Sequence, residues 1–225
     1  MTQIIACSTR EGIVLATDSR ATWFDEAGEM RHFNLKKLLR LGTHSAMLSA
    51  GAGMGVEMSF AFQNFLQRQG VEAIDDIVTM ALSFFTHQYG KWVEQRGMRH
   101  PSCPMADEGD ETSVPLNEVY LILAGCSLKE RAQPYVLHLF SSEGETISIK
   151  LVSTSQIIVV PRSLSIERRL EALRETEAPL DQLLSLSKSF LKKRSAQEEE
   201  VGPPFYFATI TPAGYKEVVD EEVKG

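Results

Sequence analysis

Apolar residues in the first quarter of the chain come in short runs, not at helical spacing. "IIACS" (4–8) and "GIVLATD" (12–18) are rich in β-branched residues and flank a turn at Arg10-Glu11-Gly12, which predicts two strands. The stretch "WFDEAGEMRHFN" (23–34) is polar and reads as a connection. A second strand pair follows in "LKKLLRLG" and "HSAMLSAGAGMG", broken at Gly42.

The period then changes. Met58, Phe62, Phe65 and Leu66 recur at i, i+4, i+7 and i+8, and Gly70 offers a helix stop. Ile74, Ile77, Val78, Ala81, Leu82 and Phe85 form one wide stripe, which predicts a second helix. Residues 99–115, with three prolines and a cluster of acids, have no period and read as a surface loop.

Strand patterns return in "EVYLILAGCS", "YVLHLFSS" and "TISIKLVSTSQIIVV". Ile166, Leu170 and Leu173 mark a third helix. Leu180, Leu183, Leu184, Ser187 and Leu191 mark a fourth, stopped by Gly202 and two prolines. "FYFATITPAGYKEVV" closes the pattern as a hairpin turning at Pro212-Ala213-Gly214, and 220–225 reads as a frayed tail. Strand runs alternating with helix pairs predict an α+β layered fold, with two antiparallel sheets face to face and helices outside.

Composition narrows the function classes. The length of 225 residues and 43% apolar content suit one domain with a sizeable core. A net charge of −7 gives no electrostatic case for nucleic acid or an anionic membrane. Cys7, Cys103 and Cys126 are odd in number, widely spaced and lack a C-x-x-C, so neither a disulfide framework nor a metal site is expected. The five histidines show no metal spacing, and no cofactor is expected. No signal-peptide pattern opens the chain and no apolar run spans a bilayer, so the expected location is the cytoplasm.

The chemistry concentrates at the start. With Met1 removed, Thr2 carries a hydroxyl and a free α-amine on one residue. The amine titrates near roughly 7.7–8.0, which makes it a base for its own hydroxyl. Lys36-Lys37 supply a cation to lower the proton affinity of that hydroxyl, and Asp18 supplies the carboxylate to fix the cation. The "SAGAGMG" segment offers the Gly51 N–H to an oxyanion. No Walker motif and no G-x-S-x-G are present.

Taken in order, the N-terminal threonine, "GIVLATDSRAT", "KKLLRLG" and "MLSAGAGMG" resemble the proteasome β-subunit family of N-terminal-nucleophile hydrolases, in the manner of a divergent bacterial homologue. The resemblance implies a single domain over 1–225, folded as a four-layer αββα sandwich. It implies a threonine-type endopeptidase in which Thr2 is the nucleophile, Lys37 its neighbour, Asp18 the orienting acid and Gly51 the oxyanion donor.

Arg20, Ala21 and Thr22 would line the cleft. Leu39, Ser49, Gly53 and Glu57 would line the main specificity pocket, where the small residues and the acid suit a basic side chain. The implied partners are peptide or unfolded-protein substrates, further copies in one or more rings, and an unidentified activator.

Two features depart from the family. Its glycine-serine element would fall on Ser153–Gln156, which holds no glycine, and a supporting aspartate would fall on Ser195, with Glu198 as a substitute. Two other readings follow: a non-catalytic ring or scaffold subunit of the same fold, and an amidohydrolase or acyl transferase acting on small amides.

Overall fold

In the computed structural model, the described residues are 2–24, 28–97, 118–127, 129, 133–142 and 148–219. The acidic loop at 99–115, the turn at Glu143-Gly144 and the 220–225 tail lie outside them. The strands are β1 (Ile4–Ser8), β2 (Ile13–Thr17), β3 (Arg20–Phe24), β4 (Met30–Asn34), β5 (Leu38–Gly42), β6 (Ser45–Gly51), β7 (Val119–Cys126), β8 (Tyr135–Ser142), β9 (Ile149–Thr154), β10 (Ile157–Val160), β11 (Tyr206–Thr211) and β12 (Gly214–Val218). The helices are α1 (Met54–Gln69), α2 (Ile74–Gly97), α3 (Leu164–Glu175) and α4 (Leu180–Gln197).

The fold is mixed α+β, and every strand pairing is antiparallel. One five-stranded sheet runs β10-β1-β2-β11-β12 and another β5-β6-β7-β8-β9, with β3-β4 as a separate two-stranded ribbon. Central strands such as β1, β2 and β6 bury both faces, so they read as continuous apolar runs, whereas the edge strands β9 and β12 are exposed at several positions. Successive side chains on a strand point to opposite faces, and the burial follows that parity. Ile4 and Ala6 of β1, and Ile13 and Leu15 of β2, join Leu38, Ala46, Leu48, Ile122 and Ala124 of the second sheet in one core. Their neighbours Ile5, Cys7, Val14 and Ala16 enter a separate core with Ile166 and Leu170 of α3 and Leu183 and Leu191 of α4. On the other sheet, Met47, Leu121 and Leu123 pack with Met58, Phe62 and Leu66 of α1 and Ile77, Ala81 and Phe85 of α2.

The helices form where the apolar period is 3.6; α1 stops at Gly70 as the sequence predicts, whereas α4 already ends at Gln197, ahead of Gly202. Gly70 takes the left-handed conformation at φ 66° and its N–H reaches back to the carbonyls of Leu66 and Gln67. Phe62 packs in tilted pairs with Phe84 and Phe85 at centroid distances of 5.0 and 4.7 Å. Truncating either core ring would cost about 3–5 kcal/mol.

Several sequence expectations change. The polar stretch after Thr22 is not a plain connection: β3 and β4 pair there, with β4 exposed throughout. "TISIKLVSTSQIIVV" is not one strand. It breaks at Ser155-Gln156, with β9 joining β8 in one sheet and β10 joining β1 in the other. Leu82, placed on the buried stripe of α2, is exposed, because the helix turns that position away from α1 and the sheet. Phe62 and Phe85 are fully buried, as their places in the helical period predict. Phe84 and Trp92 are half-buried against the same core. Among the described residues no helix is long and apolar enough to cross a membrane.

Candidate active site

The site collects at one end of both large sheets, from residues just outside the strands. Thr2 precedes β1, Asp18 follows β2 and Lys37 precedes β5. Because Ile4 pairs with Thr17, the next residues outward face each other. The Gln3 N–H donates to Asp18 Oδ1 at 3.0 Å, and the Asp18 N–H donates to the Gln3 carbonyl at 3.3 Å. The ladder thus seats Asp18 beside the start of the chain. The Arg20 N–H donates to its other oxygen at 3.0 Å.

Lys37 crosses from the second sheet to meet this acid. Its Nζ lies 3.2 Å from Asp18 Oδ1 and 3.3 Å from Oδ2, donates to the Arg20 carbonyl, and donates to Thr2 Oγ1 at 2.8 Å. Both charged side chains are buried, at 3% and 0% exposure, while Thr2 is half-buried. Four contacts from one ammonium fix its direction, and the carboxylate accepts from two amides as well as from the ammonium. Burial pushes Asp18 above the usual carboxylate range and Lys37 below the usual lysine range. Their mutual attraction opposes both shifts. The Thr2 oxygen therefore faces a desolvated cation that is held in place, and that arrangement stabilises negative charge on the oxygen.

The remaining predicted residues divide. Lys36 points away and pairs with Glu217 at 2.7 Å on the surface. Gly51 ends β6 opposite Val119 with φ 86°. A Cβ there would lie 2.1 Å from the Glu118 carbonyl oxygen, so only glycine fits. The "SAGAGMG" segment is not a loop throughout, since β6 runs to Gly51 and α1 starts at Met54 with Gly53 as its N-cap.

Arg20, Ala21 and Thr22 form the start of the β3 ribbon and are half-buried. Leu39 pairs with Met47 across β5 and β6, and Ser49 lies two residues beyond Met47. Both therefore face the α1 side of the sheet and are buried. Gly53 and Glu57, in the opening turn of α1, are exposed. Ser49 Oγ is buried without a hydrogen-bond partner among the described residues.

The residues expected to replace the missing family elements lie elsewhere. Gln156 bonds its carbonyl to the Ser8 N–H at 2.8 Å, so Ser153–Gln156 sits at the far end of β1 from Thr2. The strand-to-helix turn at the Thr2 end is Val160–Leu164, whose carbonyls at Val160 and Pro161 receive the Gln3 amide at 3.2 and 3.4 Å. Ser195 Oγ donates to the Lys192 carbonyl, and Glu198 pairs with Arg194 at 2.6 Å.

Three contributors were not foreseen in these roles: the Gln3 amide, the Arg20 main chain, and the loop before β11. That loop docks through the Gly202 carbonyl, which receives the Ser19 N–H at 3.3 Å. The Glu199 carbonyl accepts from the Arg20 guanidinium. Arg20 lies so close over Gly202 that a Cβ there would meet its guanidinium at 2.3 Å. Main-chain groups carry most of these contacts, so residue type gave no signal; only the glycine before two prolines hints at close packing. Among the described residues no cluster of side chains has the composition of a metal site. No protein-family model matches the chain, and no curated protein is similar to it.

Proposed function

We propose that the chain is a threonine-type peptidase of the N-terminal-nucleophile class, on a four-layer αββα sandwich like that of the proteasome β subunits. The observation that carries this reading is the hydrogen bond from buried Lys37, anchored by Asp18, to the hydroxyl of Thr2. The three cores, one between the sheets and one under each helix pair, support the fold assignment.

The mechanism requires removal of Met1. The freed α-amine then takes the Thr2 hydroxyl proton as Oγ attacks a peptide carbonyl, and returns it to the leaving amine. The Lys37 cation lowers the proton affinity of Oγ, Asp18 holds that cation, and the Gly51 N–H receives the oxyanion. The ester on Thr2 is then hydrolysed by water. An extended peptide would lie along residues 20–22 and 49–51 as an added strand. Glu57, exposed in the first turn of α1, would favour a basic side chain before the cut bond. The reading carries with it a cytoplasmic, self-compartmentalising ring assembly.

The test is turnover of fluorogenic peptides ending in Arg or Leu by the trimmed protein and by Thr2→Ala. Cleavage after Arg faster than after Leu, abolished in the variant, is expected. Turnover of small amides with peptides ignored would move the assignment to an amidohydrolase. One observation favours a non-catalytic subunit instead: Ser195 and Glu198 are bonded within their own segment and offer nothing to Thr2. Stable assembly of the trimmed chain without any turnover would establish that reading.

A further inference from the structure

A cavity of about 220 Å³ opens between the first turn of α3 and the last turns of α4, on the helical side of the first sheet. Its polar wall is made by Ser163, Ser165, Arg169, Ser189, Lys193, Arg194 and Gln197. Ile166 and Phe190 supply an apolar wall.

The electrostatics of this cavity oppose those of the chain as a whole. The carboxylates next to it are each paired with a cation: Glu167 with Arg162 at 3.2 Å, Glu171 with Arg174 at 2.7 Å and Glu198 with Arg194 at 2.6 Å, although Glu198 Oε2 is buried without a hydrogen-bond partner among the described residues. Arg169 and Lys193 have no ion pair or hydrogen bond to the described residues, which leaves two uncompensated positive charges in a protein of net charge −7. Arg194 adds a donor, because its Nε is buried and finds no acceptor. Ser163, the N-cap of α3, makes no capping bond. Its hydroxyl meets only that of Ser165, at 3.2 Å, so the N-terminal turn of this 12-residue helix presents its positive end without a side-chain cap.

Donors dominate the polar wall: two free cations, an orphaned guanidinium N–H, three hydroxyls and the Gln197 amide, which also brings an acceptor. Such a set matches an oxyanion bearing two charges and several acceptor oxygens. The space exceeds what one such anion fills, being about seven times the share of a water molecule in the liquid. A bare anion would also leave Phe190 and Ile166 uncovered.

We propose that this cavity binds a phosphorylated small molecule, with its phosphate on Arg169, Lys193 and the α3 N-terminus and its organic part against Phe190. The inference is independent of the peptidase reading, since it uses none of the groups around Thr2.

The test is calorimetric titration of the whole chain in buffer free of phosphate and sulfate, using ribose 5-phosphate, inorganic phosphate and a hexaglutamate peptide as probes. Saturable binding of ribose 5-phosphate is expected, about tenfold tighter than inorganic phosphate. The Arg169→Ala/Lys193→Ala variant should bind it at least about tenfold more weakly with an unchanged melting temperature, because both residues are exposed and bear no structural contact. No saturable binding of either phosphate, or equal binding by the variant, overturns the site. Inorganic phosphate binding as tightly as the sugar phosphate overturns the organic part, and tighter binding of hexaglutamate overturns the small-molecule assignment.

Discussion

Lys37 holds the Thr2 hydroxyl at 2.8 Å from one sheet while Asp18, from the other, holds Lys37 at 3.2 Å. Neither sheet alone contains the arrangement; the packing of the two faces creates it. A buried ion pair of this kind is expensive to assemble and more expensive to break.

Breaking it from one side is therefore expected to destabilise strongly. Lys37→Met leaves a buried carboxylate and should cost about 3–5 kcal/mol, as should Asp18→Ala, which leaves a buried ammonium. The Asp18→Ala/Lys37→Met chain should lose less than the sum of the two by about 1–3 kcal/mol. Urea unfolding of all four proteins measures this, and strict additivity would mean that the pair is not coupled.

The same pair shapes the pH dependence on the proposed mechanism. Activity should rise as the Thr2 amine loses its proton, through roughly pH 7.7–8.0. Lys37 works as the cation, and burial lowers its proton affinity, so its charge is lost at a pH below the ordinary lysine value and activity falls there. A bell-shaped kcat/KM profile with its alkaline limb below the lysine range is expected. A plateau through that range would remove Lys37 from the mechanism.

Two glycines two residues apart in the β6–α1 junction should behave oppositely. Gly51 has φ 86° and no room for a Cβ, whereas Gly53 has φ −54° and nothing within 4 Å of one. Gly51→Ala should cost at least about 1–3 kcal/mol from backbone strain. Gly53→Ala should be neutral or slightly stabilising, since the helical backbone there accepts alanine. Thermal denaturation of the two variants separates them, and equal losses would contradict the account.

Cys7 is fully buried on β1, and desolvation pushes its thiol up to about 12. Native protein at pH 8 should leave Cys7 unalkylated by iodoacetamide, with labelling only on unfolding. Because the folded value lies above the unfolded one, near 9, the contribution of the neutral thiol is full below pH 9 and declines as pH rises toward 12. Rapid native labelling of Cys7, read by peptide mass mapping, would show that β1 opens readily.

Much of this architecture was legible because its central strands are buried on both faces and its helices on one. β1, β2, β6 and the stripes of α1 and α4 announce themselves as runs or as i, i+3, i+4 spacing. The β3–β4 ribbon was not legible, because β4 is exposed on all five residues and so carries no apolar alternation. The sheet switch at Ser155-Gln156 was hidden because β9 and β10 both carry β-branched apolar residues, and hydrophobicity does not say which sheet a strand joins. In the candidate site, residue type pointed to Thr2, Asp18 and Lys37. The amide of Gln3, the main chain of Arg20 and the carbonyl of Gly202 had no such signature, since any residue carries those groups.

On the proposed mechanism, Thr2 is a nucleophile armed by its own amine. An intact-mass spectrum before and after exposure to a peptide epoxyketone tests it most directly, because that warhead needs both the hydroxyl and the free amine of one residue. The account predicts a mass lacking methionine that shifts by one inhibitor, with the adduct on Thr2 and no shift in Thr2→Ala. A trimmed chain that stays unmodified would contradict it.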